Sequence, residues 1–402
     1  MPVSPRPRPS VTSGEYGETN PVVSSAEIAL EATSLVTINP AGVSAAARYI
    51  RNSMREAQYT PRTWRTHPLH MLPPDNGTLE GAEPILNWVF LVSALNFSFW
   101  SELDESERYA VDWRAGWSSN ERTRWTGYWC LVAAIDRALD EGIPITDPSF
   151  YASPERCSDE LIRHVFRAAS DSKEEMPLLK ERIQILREVG SLLAKNYQGS
   201  FLTFAHSIDA PGGLTPLKLS QAVASTFPSF RDESTLPSVS RPIKLWKRAQ
   251  ILSAEAWAAF YPRDPTTTAH PLFPGGGAES LTMFADYRVP QILHHLGLLI
   301  YPRDLIEKLD GLVMLEHGCR EEVSIRASSI IAVERVAEEM RRLQQKEGTG
   351  NGGVLSQVQT CSVLIDFYLW DLAKHIESGE QGIEGLSTQR LLPPHRTRSI
   401  WY

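Results

Sequence analysis

The chain reads as mainly α-helical, one large helical domain with a minor β-hairpin. Apolar residues recur at helical spacing in segment after segment, and each segment is opened or closed by Pro, Gly, Ser, Asn or Thr. Alternating strand patterns are sparse, and no repeat of solenoid period is present. With 402 residues and 42% hydrophobic content, there is ample material for a substantial core.

The first twenty-odd residues, MPVSPRPRPSVTSGEYGETN, are rich in proline where a signal peptide would be apolar. Residues 1–38 are therefore expected to be a disordered or weakly ordered tail, with the domain spanning 39–402. From Pro40 to Glu56, Val43, Ala46, Ala47, Tyr49 and Ile50 share a helical face, opened by Asn39 or Pro40. After a polar loop, Ile85 to Phe99 is apolar nearly all round and predicts a buried central helix ending in the aromatic turn NFSFW. YAVDW and TRW flank a Gly/Ser/Asn turn between Arg108 and Trp125 and predict the hairpin.

Thr126 reads as the N-cap of a helix from Gly127 to Glu141, with Gly142 as its stop. Helices are expected next over Pro154–Ala169, Pro177–Tyr197, Thr215–Thr226 and Ile243–Phe260, then a surface loop from Tyr261 to Ala278. Val289–Leu299, Leu305–Leu315 and Glu321–Lys346 follow. A GTGNGG linker then precedes a final helix over Leu355–Ile376.

Composition excludes several classes. A net charge of −8 without any long Lys/Arg block lacks the footprint of a duplex-binding protein, so no direct nucleic-acid partner is expected. No apolar run is long enough to span a bilayer, and the four dispersed cysteines, without a CxxC pair, fit a reducing compartment: cytosol or nucleus. Patterns for dinucleotide binding, phosphate loops, zinc hydrolases and nucleophile elbows are absent. His294 and His295 are adjacent, point about 100° apart on a helix, and have no third ligand nearby, so no metal is assigned to them and no cofactor is called for.

Two segments carry candidate chemistry. In LTMFADYRVPQILHHLG (Leu281–Gly297), Asp286 precedes a helix whose first turn holds Pro290, so its carboxylate faces the positive end of the dipole amid Phe284, Ala285 and Tyr287. It is either a helix cap or a charge kept for use. In SVLIDFYLWDLA, Asp366 and Trp370 fall about 40° apart on a helix, with Asp371 a further 100° round. The trio either forms salt bridges to neighbours or presents acceptors and a stacking face to a guanine-like base.

Those segments also carry a resemblance. NWVFLVSALNFSFWSE, GYWCLVAAIDRALDEGIPIT, FPSFRD, KRAQILSAEAW, LTMFADYRVPQILHHLG, REEVSIRA, LIDFYLWD and HRTRSIWY occur in order over nearly all of the chain after about residue 40. Together they are similar to the queuosine salvage family of queuosine 5′-phosphate N-glycosylases. The chain departs in its Pro-rich tail, a longer hairpin turn at Gly116–Arg122, and the loops Asp209–Thr215 and Pro262–Gly277.

The resemblance implies a helical fold similar to DNA glycosylases without their duplex grip. It implies hydrolysis of queuosine 5′-monophosphate, a small-molecule substrate, to release queuine for reinsertion into tRNA. Carried over, Asp286 is the catalytic carboxylate, and Phe284, Asp366, Trp370 and Asp371 contact the base. A carboxylate against C1′ stabilises or traps the ribosyl oxocarbenium, and Phe284, Tyr287 and Trp370 exclude water around it. Beyond the motifs, a 5′-phosphate needs local cations. Lys247 is the first candidate and Arg396 of the terminal motif the next to test, with Arg248, His395 and Arg398 also offered. The alternative is a non-enzymatic helical interaction or nucleotide-binding protein. Convergence of Asp286, Asp366 and Asp371 in one pocket discriminates against a mere scaffold.

Overall fold

The computed structural model of the protein describes residues 19–348, 360–377, 383 and 386–402. The GTGNGG linker from residue 349 on, the start expected for the final helix at Leu355, and residues 1–18 lie outside them. The described residues are mainly helical with three two-stranded antiparallel pairs.

The first element corrects the expectation of a weakly ordered tail for residues 19–38; residues 1–18 lie outside the described residues. Helix α1 (Pro21–Thr33) is capped by the Asn20 side chain, which accepts from the Val22 N–H at 2.9 Å, and Pro21 fills the first position. Its apolar residues are dispersed and mostly small, so no stripe is visible in the sequence. Those small residues let Val22, Ala26 and Ala29 pack against α13 (Arg320–Gly348) with no exposure. Strand β1 (Thr37–Ile38) pairs with β6 (Leu299–Ile300), and α2 (Pro40–Glu56) starts as expected on an Asn39 cap. Gly42 sits where a Cβ would meet the Gly297 carbonyl oxygen at 2.2 Å, so the start of α2 is locked onto the turn after α11 (Arg288–His295).

Helix α3 (Glu83–Ala94) is the buried centre, and it ends five residues before Phe99. Its C-terminal carbonyls are taken by two buried arginines, Arg182 on Leu95 and Arg248 on Ala94, so NFSFW leaves the axis as a turn with Ser98 at φ 53°. The hairpin is β2 (Ala110–Arg114) with β3 (Arg122–Thr126). Thr126 is the last strand residue rather than a cap: α4 (Tyr128–Asp140) starts from Gly127, whose φ of 61° and ψ of −139° suit only glycine.

Pro154–Ala169 forms far less helix than expected. The short α5 (Pro148–Ala152) precedes α6 (Asp159–Val165), which Ser158 caps. Then come α7 (Leu179–Asn196), α8 (Phe201–His206) and α9 (Pro216–Thr226). The expected helix over Ile243–Phe260 divides. Ile243–Lys244 is β5, paired with β4 (Glu233–Ser234), Trp246 breaks the chain at φ 47°, and α10 runs Lys247–Ala259. After α11 and β6 come α12 (Arg303–Asp310), α13 and α14 (Ser362–Glu377). α10 packs on α3 and α9, and α14 packs on α11 and α13. This brings the DFYLWD helix beside the FADY turn.

Candidate active site

Two helices face each other across a cavity of about 300 Å³, each showing residues four apart. α10 contributes Lys247, Ile251 and Glu255; α14 contributes Asp366, Trp370 and Lys374, with Phe367 and Asp371 beside them. That spacing is one face of a helix, which is why a stripe of polar and aromatic side chains can interrupt otherwise buried elements. The NFSFW turn supplies Asn96, Phe97 and Phe99, and the FADY turn supplies Phe284, Asp286, Tyr287 and Arg288. The start of α4, the Tyr59–His70 segment and Tyr402 complete the walls.

Asp286 both caps a helix and lines the cavity. Its Oδ1 accepts the N–H groups of Arg288 at 2.8 Å and Val289 at 2.9 Å, capping α11, while the carboxylate still lines the cavity. No donor among the described residues reaches Oδ2. Asp366 is buried and accepts the Phe284 N–H at 2.9 Å, so the two motifs are tied directly. Burial, then the Asp286 charge, push its carboxyl well above the usual range, against the pull of that N–H and of Lys247. Asp371 accepts the Tyr59 hydroxyl at 2.7 Å and is also raised by burial.

Lys247 is buried, with Nζ donating to the Asn96 carbonyl at 2.9 Å and to its side-chain oxygen at 3.0 Å. Burial lowers its ammonium to about 8, opposed first by attraction to Asp286. Glu255 lies two turns along α10. Burial raises it to about 7 in spite of the Tyr128 hydroxyl, which donates to Oε1 at 3.3 Å, and Oε2 has no hydrogen-bond partner among the described residues. At the other side, Arg288 and Lys374 pair with a single carboxylate, Glu377, and Lys374 is lowered to about 8 by burial, then by Arg288.

Aromatic surfaces surround these charges. Trp370 meets the edges of Tyr128 at 6.1 Å and Trp129 at 5.7 Å, and the His67 ring stacks on Trp129 at 3.4 Å with planes 3° apart. Burial lowers His67 to about 4 and His70 to about 3, so both rings are neutral at pH 7.

The cavity thus gathers Phe284, Asp286, Tyr287, Asp366, Trp370, Asp371 and Lys247 from the sequence candidates. It does not gather Arg248, whose fully buried guanidinium caps Ala94 and Ser229 carbonyls. Arg396 and Arg398 lie over the Trp100 ring, and buried His395 meets the Tyr402 hydroxyl at 3.2 Å, all outside the lining. Sequence reasoning missed Arg288, Lys374 and Glu255. The first follows FADY directly, and the others lie four and eight residues from named candidates, so helical spacing could have flagged them. The Tyr59–His70 segment, folded around a 3₁₀ turn at Pro61–Thr66, gave no periodic signal at all. His294 is buried and stacked on Tyr301 at 4.6 Å, His295 is half-buried, and no cluster suited to a metal occurs among the described residues.

A family model described as queuosine salvage protein matches residues 77–402. The chain belongs to the queuosine salvage protein family. A mouse protein named queuosine 5′-phosphate N-glycosylase/hydrolase is 38% identical over 94% of this chain and 97% of its own length. Proteins of the same name from Schizosaccharomyces pombe and Sphaerobacter thermophilus are 35% and 33% identical, over 91% and 89% of this chain and 95% and 91% of theirs. No helix among the described residues is long and apolar enough to cross a membrane.

Proposed function

We propose that this protein hydrolyses the N-glycosidic bond of queuosine 5′-monophosphate, releasing queuine and ribose 5-phosphate. The observation that carries the reading is the convergence of Asp286, Asp366 and Asp371 with Trp370 and Lys247 on one cavity. A scaffold gives no reason for three carboxylates to converge there, two of them, Asp366 and Asp371, raised by burial.

In this reading Trp370 stacks the base, while Asp366 and Asp371 hydrogen-bond its guanine-like edge. Queuine is a 7-deazapurine, so protonation at N7 is unavailable to assist departure. The weight falls on the sugar: as the C1′–N9 bond breaks and its electron pair leaves with the base, positive charge grows at C1′. Asp286, held at Oδ1 by two α11 N–H groups with Oδ2 free, is positioned to stabilise that charge or to bond to it. Water then adds to C1′; one of its protons ends on the base and the hydroxyl remains on the ribose. Lys247, whose ammonium near 8 is attracted by Asp286 and Asp366, can relay that proton by giving its own to the departing base and regaining one from the water.

Lys247 is thereby spent at the reaction centre, which argues against the phosphate role expected of it. Arg288 and Lys374 suit the phosphate better, because two cations share one carboxylate and both line the cavity. Incubation of the protein with queuosine 5′-monophosphate, followed by chromatography for free queuine, should show turnover without added cofactor. Absence of queuine from active-site-titrated, folded protein refutes the proposal.

A further inference from the structure

Three of the sequence motifs contribute no reacting group to the cavity: FPSFRD, REEVSIRA and HRTRSIWY. Their polar residues meet immediately behind it. Arg326 of α13 is fully buried, and its fork is used on every side. Nε donates to the Ala285 carbonyl at 2.8 Å, one terminal nitrogen to Asp232 at 2.6 Å, and the other to Asp232 and Glu322, both at 3.1 Å. The guanidinium lies 4.1 Å from the centre of the Tyr402 ring, itself a wall of the cavity.

Asp232 is equally committed. Its Oδ2 also accepts the Lys247 N–H at 3.2 Å, and its carbonyl accepts the N–H groups of Leu245 at 3.0 Å and Trp246 at 3.1 Å. An unbroken path therefore runs from the peptide preceding Asp286, through Arg326 and Asp232, to the peptide nitrogen of Lys247. We propose that the Asp232–Arg326 pair is a positioning device that sets the separation of the Asp286 carboxylate from the Lys247 ammonium. The proposal rests on the roles given above to those two residues.

Stability alone is a poor account of the pair. A buried ion pair returns little or no net stability relative to well-packed apolar side chains. What apolar side chains cannot do is hold two main-chain groups, on two different elements, at fixed distances. Only a planar five-donor fork reaches Ala285, Asp232 and Glu322 at once, and lysine lacks that geometry. Misplacing a reacting group by an ångström costs on the order of 10²-fold in rate.

The test uses two charge-conserving variants, Arg326→Lys and Asp232→Glu, in the full chain beside wild type and Asp286→Asn. Expected is a fall in kcat of about 10- to 100-fold, with the KM for queuosine 5′-monophosphate and the affinity for queuine changed by less than about threefold. The basic limb of the kcat/KM profile should also move to lower pH. Lys247 is held up by attraction to Asp286, Glu255 and Asp366 and pushed down by burial and Arg248; widening the gap to Asp286 weakens the first of these. A purely structural role would lower the melting temperature and leave that limb in place.

Wild-type kcat and an unmoved limb in folded variants overturn the proposal. If neither variant folds, the double variant Asp232→Leu/Arg326→Met decides: wild-type kcat in it, or failure to fold, overturns the proposal, and a folded, slow enzyme supports it. Retained turnover in Asp286→Asn would instead refute the reading of Asp286, whatever the pair does.

Discussion

Asp286→Asn separates charge from architecture at this position. The Asn side-chain oxygen can still accept the N–H groups of Arg288 and Val289 that Oδ1 now accepts at 2.8 and 2.9 Å, and Asn caps helices about as well as Asp. Loss of the charge–dipole attraction costs about 0.3–1 kcal/mol, and relief of repulsion with buried Asp366 offsets part of it. The melting temperature should therefore stay within about 2 °C of wild type. The rate should not. A full charge about 3.5 Å from a carboxylate at an effective dielectric of 20 is stabilised by about 4–5 kcal/mol, which is about 10³-fold in kcat. The assay is steady-state release of queuine from queuosine 5′-monophosphate, with circular dichroism to verify the fold. A second readout is free: with Asp286 neutral, Asp366 loses a cause of its raised protonation and should titrate lower. A folded Asp286→Asn protein within about threefold of wild-type kcat would refute the electrostatic argument.

Asp366→Ala and Trp370→Ala should each weaken queuine binding by about 10- to 100-fold in calorimetry, through lost hydrogen bonds and lost stacking respectively; unchanged affinity in both would remove the base from α14. Lys374→Ala, with its side chain a third exposed, should reduce the kcat/KM preference for the nucleotide over the nucleoside by about tenfold, whereas Lys247→Met should slow both substrates alike. The opposite pattern returns the phosphate to Lys247. Glu255 has its pKa raised from 4.5 to about 7, so the folded state binds the extra proton. Its contribution is present below pH 4.5 and is lost as pH rises through 7, about 3 kcal/mol in all, and Glu255→Gln should flatten stability over that window. Urea melts at pH 5 and pH 8 check this, and an identical pH slope in both proteins would contradict it.

What the chain determines by itself is local. Capping chemistry placed α2 and α9 within a few residues, because Asn39 and Thr215 act on their own neighbours, and pattern alone placed α7, which starts without a side-chain cap. The arc of Asp366, Trp370 and Asp371 is also local, since a helix with those residues must show them together. The place of the FADY aspartate just before a helix whose first turn holds Pro290 was legible for the same reason. The rest was decided by tertiary packing. α1 is held by burial against α13, and its small dispersed apolar residues show no stripe until the partner is present. α3 stops at Ala94 because Arg182 and Arg248, about 90 and 150 residues away in the chain, cap its carbonyls; the same capping spends Arg248, which sequence alone offered to a phosphate. The sharing of Glu377 by Arg288 and Lys374, and the path from Ala285 through Arg326 and Asp232 to Lys247, join segments separated by tens of residues. A buried cation's role depends on which acceptors surround it, and those acceptors belong to other elements, so the distinction between a structural arginine and a ligand-binding one exists only in the folded protein.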